Sequence, residues 1–154
     1  MNKLDEMKDS QFIFGSIFVV ANKIDTLLER ELSHYDLTTK QWLLSIVIDN
    51  LFDKSPTIKE VSKEMGSSHQ NVKQVALKLE QKGFLALEKD KKDARATRLK
   101  LTNKSYEFWA GIQSKSIEFT EALFKDIDEE ELSKTRAALQ KMLINLGNME
   151  SKEE

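Results

Sequence analysis

Apolar residues recur every three or four positions through the first third of the chain and predict two helices. Between Phe12 and Leu32 they follow one helical stripe, and additional phenylalanine and valine side chains widen it. Because a single neighbour cannot cover so broad an apolar face, this helix is expected to lie between layers or at a subunit contact. A second, densely apolar helix is predicted from Thr38 to Leu51, with Thr38 and Gln41 at capping-box spacing.

Two short amphipathic helices separated by a glycine turn are predicted next. Thr57 and Glu60 have capping-box spacing at the start of the first of them. Gly66 suits the left-handed conformation that ends such a helix, and Ser67 with Gln70 is expected to cap the second. The inner face of the second helix consists of Val72, Val75, Ala76 and Leu79. This is the spacing of a helix-turn-helix.

A charged hairpin is predicted after the second short helix. Alternating apolar and polar residues on both sides of a polar tip, residues 89–95, indicate two half-buried strands. The outer face of the helix before it carries hydrogen-bonding groups: Ser68, His69, Gln70, Asn71, Lys73 and Gln74. Amide side chains suit bidentate contacts with adenine, and lysines suit phosphate. Ordinary solvated surface is the alternative interpretation, but a helix end beside a cationic loop favours DNA binding.

Charge is distributed unevenly along the chain, although the total at pH 7 is only -2. Residues 67–104 carry ten basic and four acidic side chains, a net +6, whereas residues 105–154 carry six and eleven, a net -5. A surface that faces phosphates needs local positive potential, since neutralising phosphates supplies most non-specific affinity. A solvated hairpin without a ligand explains the charge alone equally well.

The last third of the chain again predicts helices. Aromatic and aliphatic residues supply apolar faces after Thr102, and Asp128 with Glu131 has capping-box spacing before a final helix. That helix carries leucines seven residues apart, at Leu132, Leu139 and Leu146. Such a seam is typical of contact with another helix. With five or six helices and one hairpin, the predicted fold class is mainly α with a small two-stranded β-wing.

Composition limits the classes of function. The 154 residues include no cysteine, which excludes disulfides and thiolate metal sites and fits a cytoplasmic protein. The first residues are polar, and no stretch was expected to reach the roughly 20 apolar residues that span a bilayer. The two histidines, His34 and His69, lie on different segments, and no nucleotide-binding or nucleophile motif is present. The sequence therefore predicts neither an enzyme nor a cofactor or metal.

The order of these elements resembles the MarR (multiple antibiotic resistance regulator) family of winged helix-turn-helix transcriptional regulators. The resemblance covers nearly the whole chain and is carried by residues 65–85 and by the wing, where Asp93-Ala94-Arg95 leads to Leu99-Lys100-Leu101-Thr102. The wing pattern is the more diagnostic of the two. The expected recognition helix departs from the family in carrying His69, Gln70 and Lys73 where small hydroxyl residues and arginines are common. Its base preference cannot therefore be transferred.

The resemblance implies one integrated domain with three parts. Residues 1–36 would form an N-terminal dimerisation helix, residues 37–104 a winged DNA-binding lobe, and residues 105–154 C-terminal dimerisation helices. Two lobes of an obligate homodimer would then meet successive faces of a roughly palindromic operator. Asp93 would brace Arg95, and Arg95 would enter the minor groove.

The resulting hypothesis is a cytoplasmic, sequence-specific regulator of transcription, a homodimeric repressor that a small-molecule effector relieves. Candidates for lining an effector pocket are His34, Tyr35 and Trp42, although Trp42 also fits a core position. The alternative is a winged-helix protein-interaction module without specific DNA binding. The predicted DNA-binding residues are Ser67, Ser68, His69, Gln70, Asn71, Lys73, Gln74, Lys91, Lys92, Asp93 and Arg95.

Overall fold

A computed structural model describes residues 3–153 and shows seven α-helices and one two-stranded sheet in that range. A short 3-10 helix at Lys3–Glu6 precedes them. The predicted class, mainly α with a small β-wing, is confirmed. The elements are α1 Asp9–Ser33, α2 Thr39–Leu51, α3 Ile58–Met65, α4 His69–Gln81, β1 Leu85–Lys89, β2 Thr97–Leu101, α5 Asn103–Gly111, α6 Gln113–Leu123 and α7 Glu129–Glu150.

Three helices begin with the reciprocal capping boxes that the sequence spacing predicts. In each, the N-cap side chain accepts a hydrogen bond from the backbone N–H three residues later, and the side chain there accepts one from the N-cap N–H. The pairs are Thr38 with Gln41, Thr57 with Glu60, and Asp128 with Glu131. These local contacts fix the starts of α2, α3 and α7.

The helix-turn-helix and the hairpin follow the predicted order. Gly66 ends α3 in the left-handed conformation, with φ of 61°, where a side chain would be strained. Strands β1 and β2 pair antiparallel in one register, from Leu85 opposite Leu101 to Lys89 opposite Thr97. The predicted hairpin is therefore confirmed, and burial alternates in β2, from buried Leu99 through exposed Lys100 to buried Leu101, but not in β1.

The core lies in the winged lobe, residues 37–104. Helices α2, α3 and α4 and strand β2 contribute its least exposed side chains, and strand β1 packs on α4. The side chains less than 2% exposed include Leu44, Val61, Leu79 and Leu99. Since α2, α3 and β2 all pack together, α4 and the hairpin rest on a common apolar base.

The chain divides into two compact units, the first ending at Phe108 and the second starting at Trp109. Within the first, α1 buries one side chain, Leu32, while Phe14 is 70% and Phe18 62% exposed. In the second unit, α6 and α7 bury none of the residues described. Large exposed apolar side chains of that unit include Leu143, Ile144 and Met149.

Helix α1 is long and apolar enough to cross a membrane by length and composition alone, which the sequence expectation did not anticipate. This is weak support for a membrane span, because core helices of soluble proteins pass the same test. No residue of the qualifying stretch is buried within the chain. An exposed apolar face of this size marks an interaction surface.

Candidate nucleic-acid interface

The start of α4 differs by one residue from the predicted start. Ser68, not Ser67, is the N-cap, and its hydroxyl accepts a hydrogen bond of 3.1 Å from the backbone N–H of Asn71. The N–H of Ser67 instead donates to the carbonyl of Ser62 at 3.0 Å and so closes the end of α3. The expected Ser67–Gln70 cap was therefore wrong, because the turn needs Ser67 for the preceding helix.

The outer face of α4 presents hydrogen-bonding side chains to solvent. Val72, Ala76 and Leu79 are buried on its inner side and fix which way the helix faces. The exposed residues of its first two turns are His69, Gln70, Asn71, Lys73 and Gln74. No hydrogen bond occupies these five side chains among the described residues. Their donors and acceptors are therefore available to a ligand.

The wing loop, residues 90–96, exposes the other predicted contacts. Lys91, Lys92, Asp93 and Arg95 are all exposed. The Asp93 carboxylate accepts a hydrogen bond of 3.0 Å from the backbone N–H of Arg95, so the contact between these two residues runs to the main chain and not to the guanidinium. Within residues 3–153, the Arg95 guanidinium makes no hydrogen bond or ion pair. It projects from a turn shaped by Asp93.

An ion pair at the base of this loop was missed by the sequence analysis. The Arg98 Nε donates to Asp90 Oδ1 at 2.5 Å, and Arg98 Nη1 donates to the carbonyl oxygen of Ser55 at 2.6 Å. Arg98 is paired with Glu88 within the sheet, and Asp90 follows the last residue of β1, so the two side chains lie diagonally across the strand pair. The sequence could have indicated this pair only through the opposite charges of Asp90 and Arg98, and only if the register of the hairpin had been assumed.

The pKa values of this pair shift in the directions expected for a charge-assisted bond. The hydrogen bond from Arg98 lowers the pKa of the Asp90 carboxyl, with further contributions from the N–H groups of Asp93 and Lys92. The same bond raises the pKa of Arg98. Asp90 is therefore a carboxylate at neutral pH, and the ion pair is fully formed there.

The positive charge of residues 67–104 remains available at the surface. Among its acidic residues, Glu80 accepts from the N–H of Leu87 and Asp90 and Asp93 accept within the wing loop. Seven of the ten cations are exposed and make neither an ion pair nor a side-chain hydrogen bond among residues 3–153, namely Lys73, Lys78, Lys89, Lys91, Lys92, Arg95 and Lys100. Internal bonds thus hold three of the acidic groups while most of the cations are free.

A shallow, largely open cleft of about 490 Å³ lies beside the C-terminal end of α4. Its lining residues are Tyr35, Asp36, Gln81, Lys82, Phe84, Lys104 and Phe108. The ring of Phe108 packs edge-to-face on Tyr35 and on Phe84, with centroids 5.3 and 5.4 Å apart. Of the three predicted effector residues, Tyr35 lines this cleft. His34 is exposed and Trp42 half-buried, and neither lines it.

Lysine side chains fasten the end of α4 at this cleft. Lys82 Nζ donates to the Asp36 carbonyl and, at 3.1 Å, to Oε1 of the buried Gln41. Lys104 Nζ donates to the Lys82 carbonyl at 2.6 Å and lies 4.9 Å from the centre of the Phe84 ring. The orientation of α4 is therefore linked to the α1–α2 turn and to α5. Among residues 3–153, no cluster of potential metal ligands is present.

Comparison with solved structures identifies the fold. A MarR protein from Peptoclostridium difficile superposes with a TM-score of 0.80 at 21% identity, over 92% of each chain. The transcriptional regulator PA3341 gives 0.73 at 26% identity, over 88% of this chain and 98% of that one. MepR of S. aureus, solved in complex with DNA, gives 0.74 at 20% identity, over 91% and 99%.

This chain has the winged helix fold of the MarR-type regulators, and the resemblance proposed from sequence is confirmed for the fold. No family model matches the sequence, and no curated protein matches it significantly.

Proposed function

We propose that this chain is a sequence-specific DNA-binding regulator of transcription and belongs to the MarR family. The observation that carries the proposal is one lobe in which four uncharged hydrogen-bonding side chains at the start of α4 and seven cations, Lys73 among them, are exposed and unpaired among the described residues. The similarity to regulators, one of them solved with DNA, supports the same conclusion. Proteins that read DNA need both base-reading and phosphate-binding groups.

The proposed roles follow the chemistry of each side chain. Amide groups of α4 contact base edges in the major groove, with Gln70, Asn71 and Gln74 as the candidates for adenine. Lysines of α4 and the wing, Lys73, Lys91 and Lys92, neutralise phosphates. Ser67 and Ser68 contact the backbone at the helix start, and His69 makes a polar contact beside them. Arg95 enters the minor groove from a turn held by Asp93.

The proposed assembly is a homodimer formed through the terminal helices. Helix α1 leaves Phe14 and Phe18 more than 60% exposed, and α7 leaves Leu143 and Ile144 similarly exposed. Surfaces of this kind are normally covered by a partner. A two-fold dimer presents two copies of α4 to half-sites about one helical turn, ~34 Å, apart, and so requires a roughly palindromic operator.

The proposed regulation is repression relieved by a small molecule in the cytoplasm. The cleft at Tyr35 adjoins Lys82, whose contacts fix the end of α4, so a ligand there acts on the orientation of the reading helix. Such a ligand shifts the population between DNA-competent and incompetent arrangements by its differential affinity for them. His34 and Trp42 stay candidates for the same pocket in the dimer.

A titration of labelled DNA at several salt concentrations tests the proposal. The probe is a pool of genomic fragments enriched by the protein, with random duplex of equal length as competitor. A DNA reader making six to ten phosphate contacts loses about 10³- to 10⁵-fold in affinity between 50 and 200 mM salt. Arg95→Ala should weaken binding about tenfold, and Lys91→Ala should reduce the salt slope by about one.

The competing interpretation predicts a different result from the same titration. A winged-helix protein-interaction module shows no preference over random duplex and little response to Arg95→Ala. That outcome contradicts the proposed function. Gln74→Ala separates base reading from phosphate binding, because losing a base contact relaxes specificity at one position, whereas losing a phosphate contact weakens all sequences alike.

A further inference from the structure

We propose that Arg98 and Asp90 are positioning residues that hold the wing loop, and Arg95 within it, in a fixed shape before any ligand binds. The consequence for DNA affinity rests on the proposed function, whereas the ordering of the loop does not. Neither residue was among the predicted DNA contacts. Both are less exposed than the loop they support, with side chains 37% and 14% exposed.

We call the contacts of Arg98 and Asp90 the wing brace. The first half of this brace attaches the hairpin to the segment before α3. The planar guanidinium of Arg98 donates in two directions, to the Asp90 carboxylate at 2.5 Å and to the Ser55 carbonyl at 2.6 Å. Next along the strand, the N–H of Leu99 donates to the Pro56 carbonyl at 2.8 Å. The base of the wing is thus tied to the segment that enters the helix-turn-helix.

The second half of the brace organises the loop itself. The other Asp90 oxygen, Oδ2, accepts from the N–H of Asp93 at 3.0 Å and of Lys92 at 3.3 Å. The Asp90 N–H donates to the Ala96 carbonyl at 3.0 Å. The Asp90 carboxylate therefore binds Arg98 through one oxygen and two backbone N–H groups of the loop through the other.

The bonds then continue to the predicted minor-groove residue. The Asp93 carboxylate accepts from the N–H of Arg95, and the Asp93 carbonyl accepts from the N–H of Ala96, both at 3.0 Å. An unbroken series of contacts runs from Ser55 through Arg98, Asp90 and Asp93 to Arg95. Of the charged side chains in this series, Arg95 alone has its polar end free of partners in the part of the chain described.

A loop ordered in advance loses less conformational freedom when it binds. Without the Arg98–Asp90 contact, the N–H groups of Lys92 and Asp93 still donate to the Asp90 carboxylate. The carboxylate itself, however, is no longer attached to the Ser55 segment. The order must then be acquired during binding, at the expense of affinity. The ion pair and the loop bonds it supports therefore contribute to DNA binding by placing Arg95, and Arg98 and Asp90 make no contact to DNA of their own.

The test is a double-mutant cycle of full-length protein on the DNA selected above. Arg98→Leu and Asp90→Asn are each measured in the wild-type and in the Arg95→Ala background. Lys100→Leu is the matched control, because it removes one cation from the same strand without touching Asp90 or Ser55. We expect Arg98→Leu to cost about five- to tenfold in affinity in the wild type and less than twofold once Arg95 is gone. Lys100→Leu should cost the same in both backgrounds.

A second measurement judges the brace without DNA. Backbone ¹⁵N order parameters of residues 91–96 should fall in Arg98→Leu and stay unchanged in Lys100→Leu, while those of α4 are equal in both. Arg98→Lys keeps the charge but lacks the planar guanidinium that donates in two directions. We therefore expect its order parameters to lie between those of the wild type and those of Arg98→Leu.

Two results overturn the inference: equal affinity losses from Arg98→Leu in both backgrounds, or unchanged order parameters in the wing loop. Failure of the wild-type protein to bind DNA refutes the proposed function alone, because the relaxation measurement still decides whether Arg98 orders the loop.

Discussion

The winged lobe and the terminal helix α1 are both rich in apolar side chains, but the lobe buries them and α1 leaves them exposed. In the lobe, Leu44, Val61, Ala76 and Leu99 are 0% exposed, and three helices and the hairpin cover one another. In α1, a single residue, Leu32, is buried among 25. The lobe therefore completes its own core, whereas α1 exposes an apolar surface that the chain by itself does not cover.

The contrast shows that contacts within the chain are enough to complete the core of the lobe but not to cover α1. Contacts within one chain determine the lobe, including α4 and the wing. Contacts within the described residues attach the last turns of α1 to the lobe and leave its apolar face uncovered. Glu29 accepts from the N–H and hydroxyl of Thr39 at 2.7 Å each, which ties α1 to the start of α2.

The largest expected effect is a loss of stability when a core residue of the lobe is truncated. Leu44→Ala leaves a cavity at a position with 0% exposure, and we expect the free energy of unfolding to fall by about 3 to 5 kcal/mol. Urea denaturation followed by circular dichroism measures this. Its neighbour Leu43 is 39% exposed, so Leu43→Ala should cost well under half as much. Equal losses at the two positions would contradict the assignment of the core.

The next effect concerns the exposed face of α1. Phe14→Ala removes a ring that is 70% exposed in the single chain, and loss of its burial in both protomers should weaken the dimer by about 2 to 3 kcal/mol, or roughly 30- to 150-fold. Sedimentation equilibrium gives the dissociation constant.

The control for this variant is an exposed apolar residue of the lobe. Leu51 is 56% exposed on α2, and Leu51→Ala should leave the dimer constant within about twofold. If wild-type protein sediments as a monomer at every concentration, the proposed role of α1 is wrong.

Sequence patterns predicted the parts of the structure that depend on neighbours in the chain. The three capping boxes and the left-handed Gly66 were correct because each needs only residues three or four positions apart. The cap of α4 was misplaced by one residue, since Ser67 and Ser68 are chemically equal and only the closure of α3 distinguishes them.

Contacts between distant segments were not predicted. Arg98 meets the Ser55 carbonyl across 43 residues, and Lys82 meets Gln41 across 41. No periodicity encodes such pairs, because they depend on how the hairpin and helices pack. The cleft shows the same limit, because Tyr35 is a predicted pocket residue but Phe84 and Lys104, which come from distant segments, were not predicted beside it.

Smaller effects are expected from the helix caps, one in the lobe at the start of α3 and one at the start of the terminal helix α7. Thr57→Ala and Asp128→Ala each remove a capping-box acceptor, and each should cost about 1 kcal/mol. If α7 depends on a partner, the Asp128→Ala loss should also appear as a weaker dimer, whereas Thr57→Ala should leave the dimer constant unchanged. Ser55→Ala is the control for the lobe, since it keeps the carbonyl that Arg98 binds. Equal dimer constants for all three variants would argue against a role of α7 in assembly.

The smallest effect is a dependence of the wing on pH. The hydrogen bond from Arg98 lowers the pKa of Asp90, and those from Thr39 lower the pKa of Glu29 at the base of α1. A carboxyl whose pKa is depressed on folding stabilises the folded state fully above its unfolded pKa, about 3.9 for aspartate. That contribution is lost as the pH falls through the lower, folded pKa.

Carboxyl-carbon NMR titration between pH 6 and 2 measures both groups in one experiment. We expect Asp90 and Glu29 to titrate below exposed carboxyls of their type, and the amide signals of Lys92 and Asp93 to shift together with Asp90. In Arg98→Leu the Asp90 midpoint should move up toward its ordinary value while that of Glu29 stays in place, because their hydrogen-bond donors are different. A shift of both midpoints would mean that the substitution disturbs the whole lobe and not the wing loop alone.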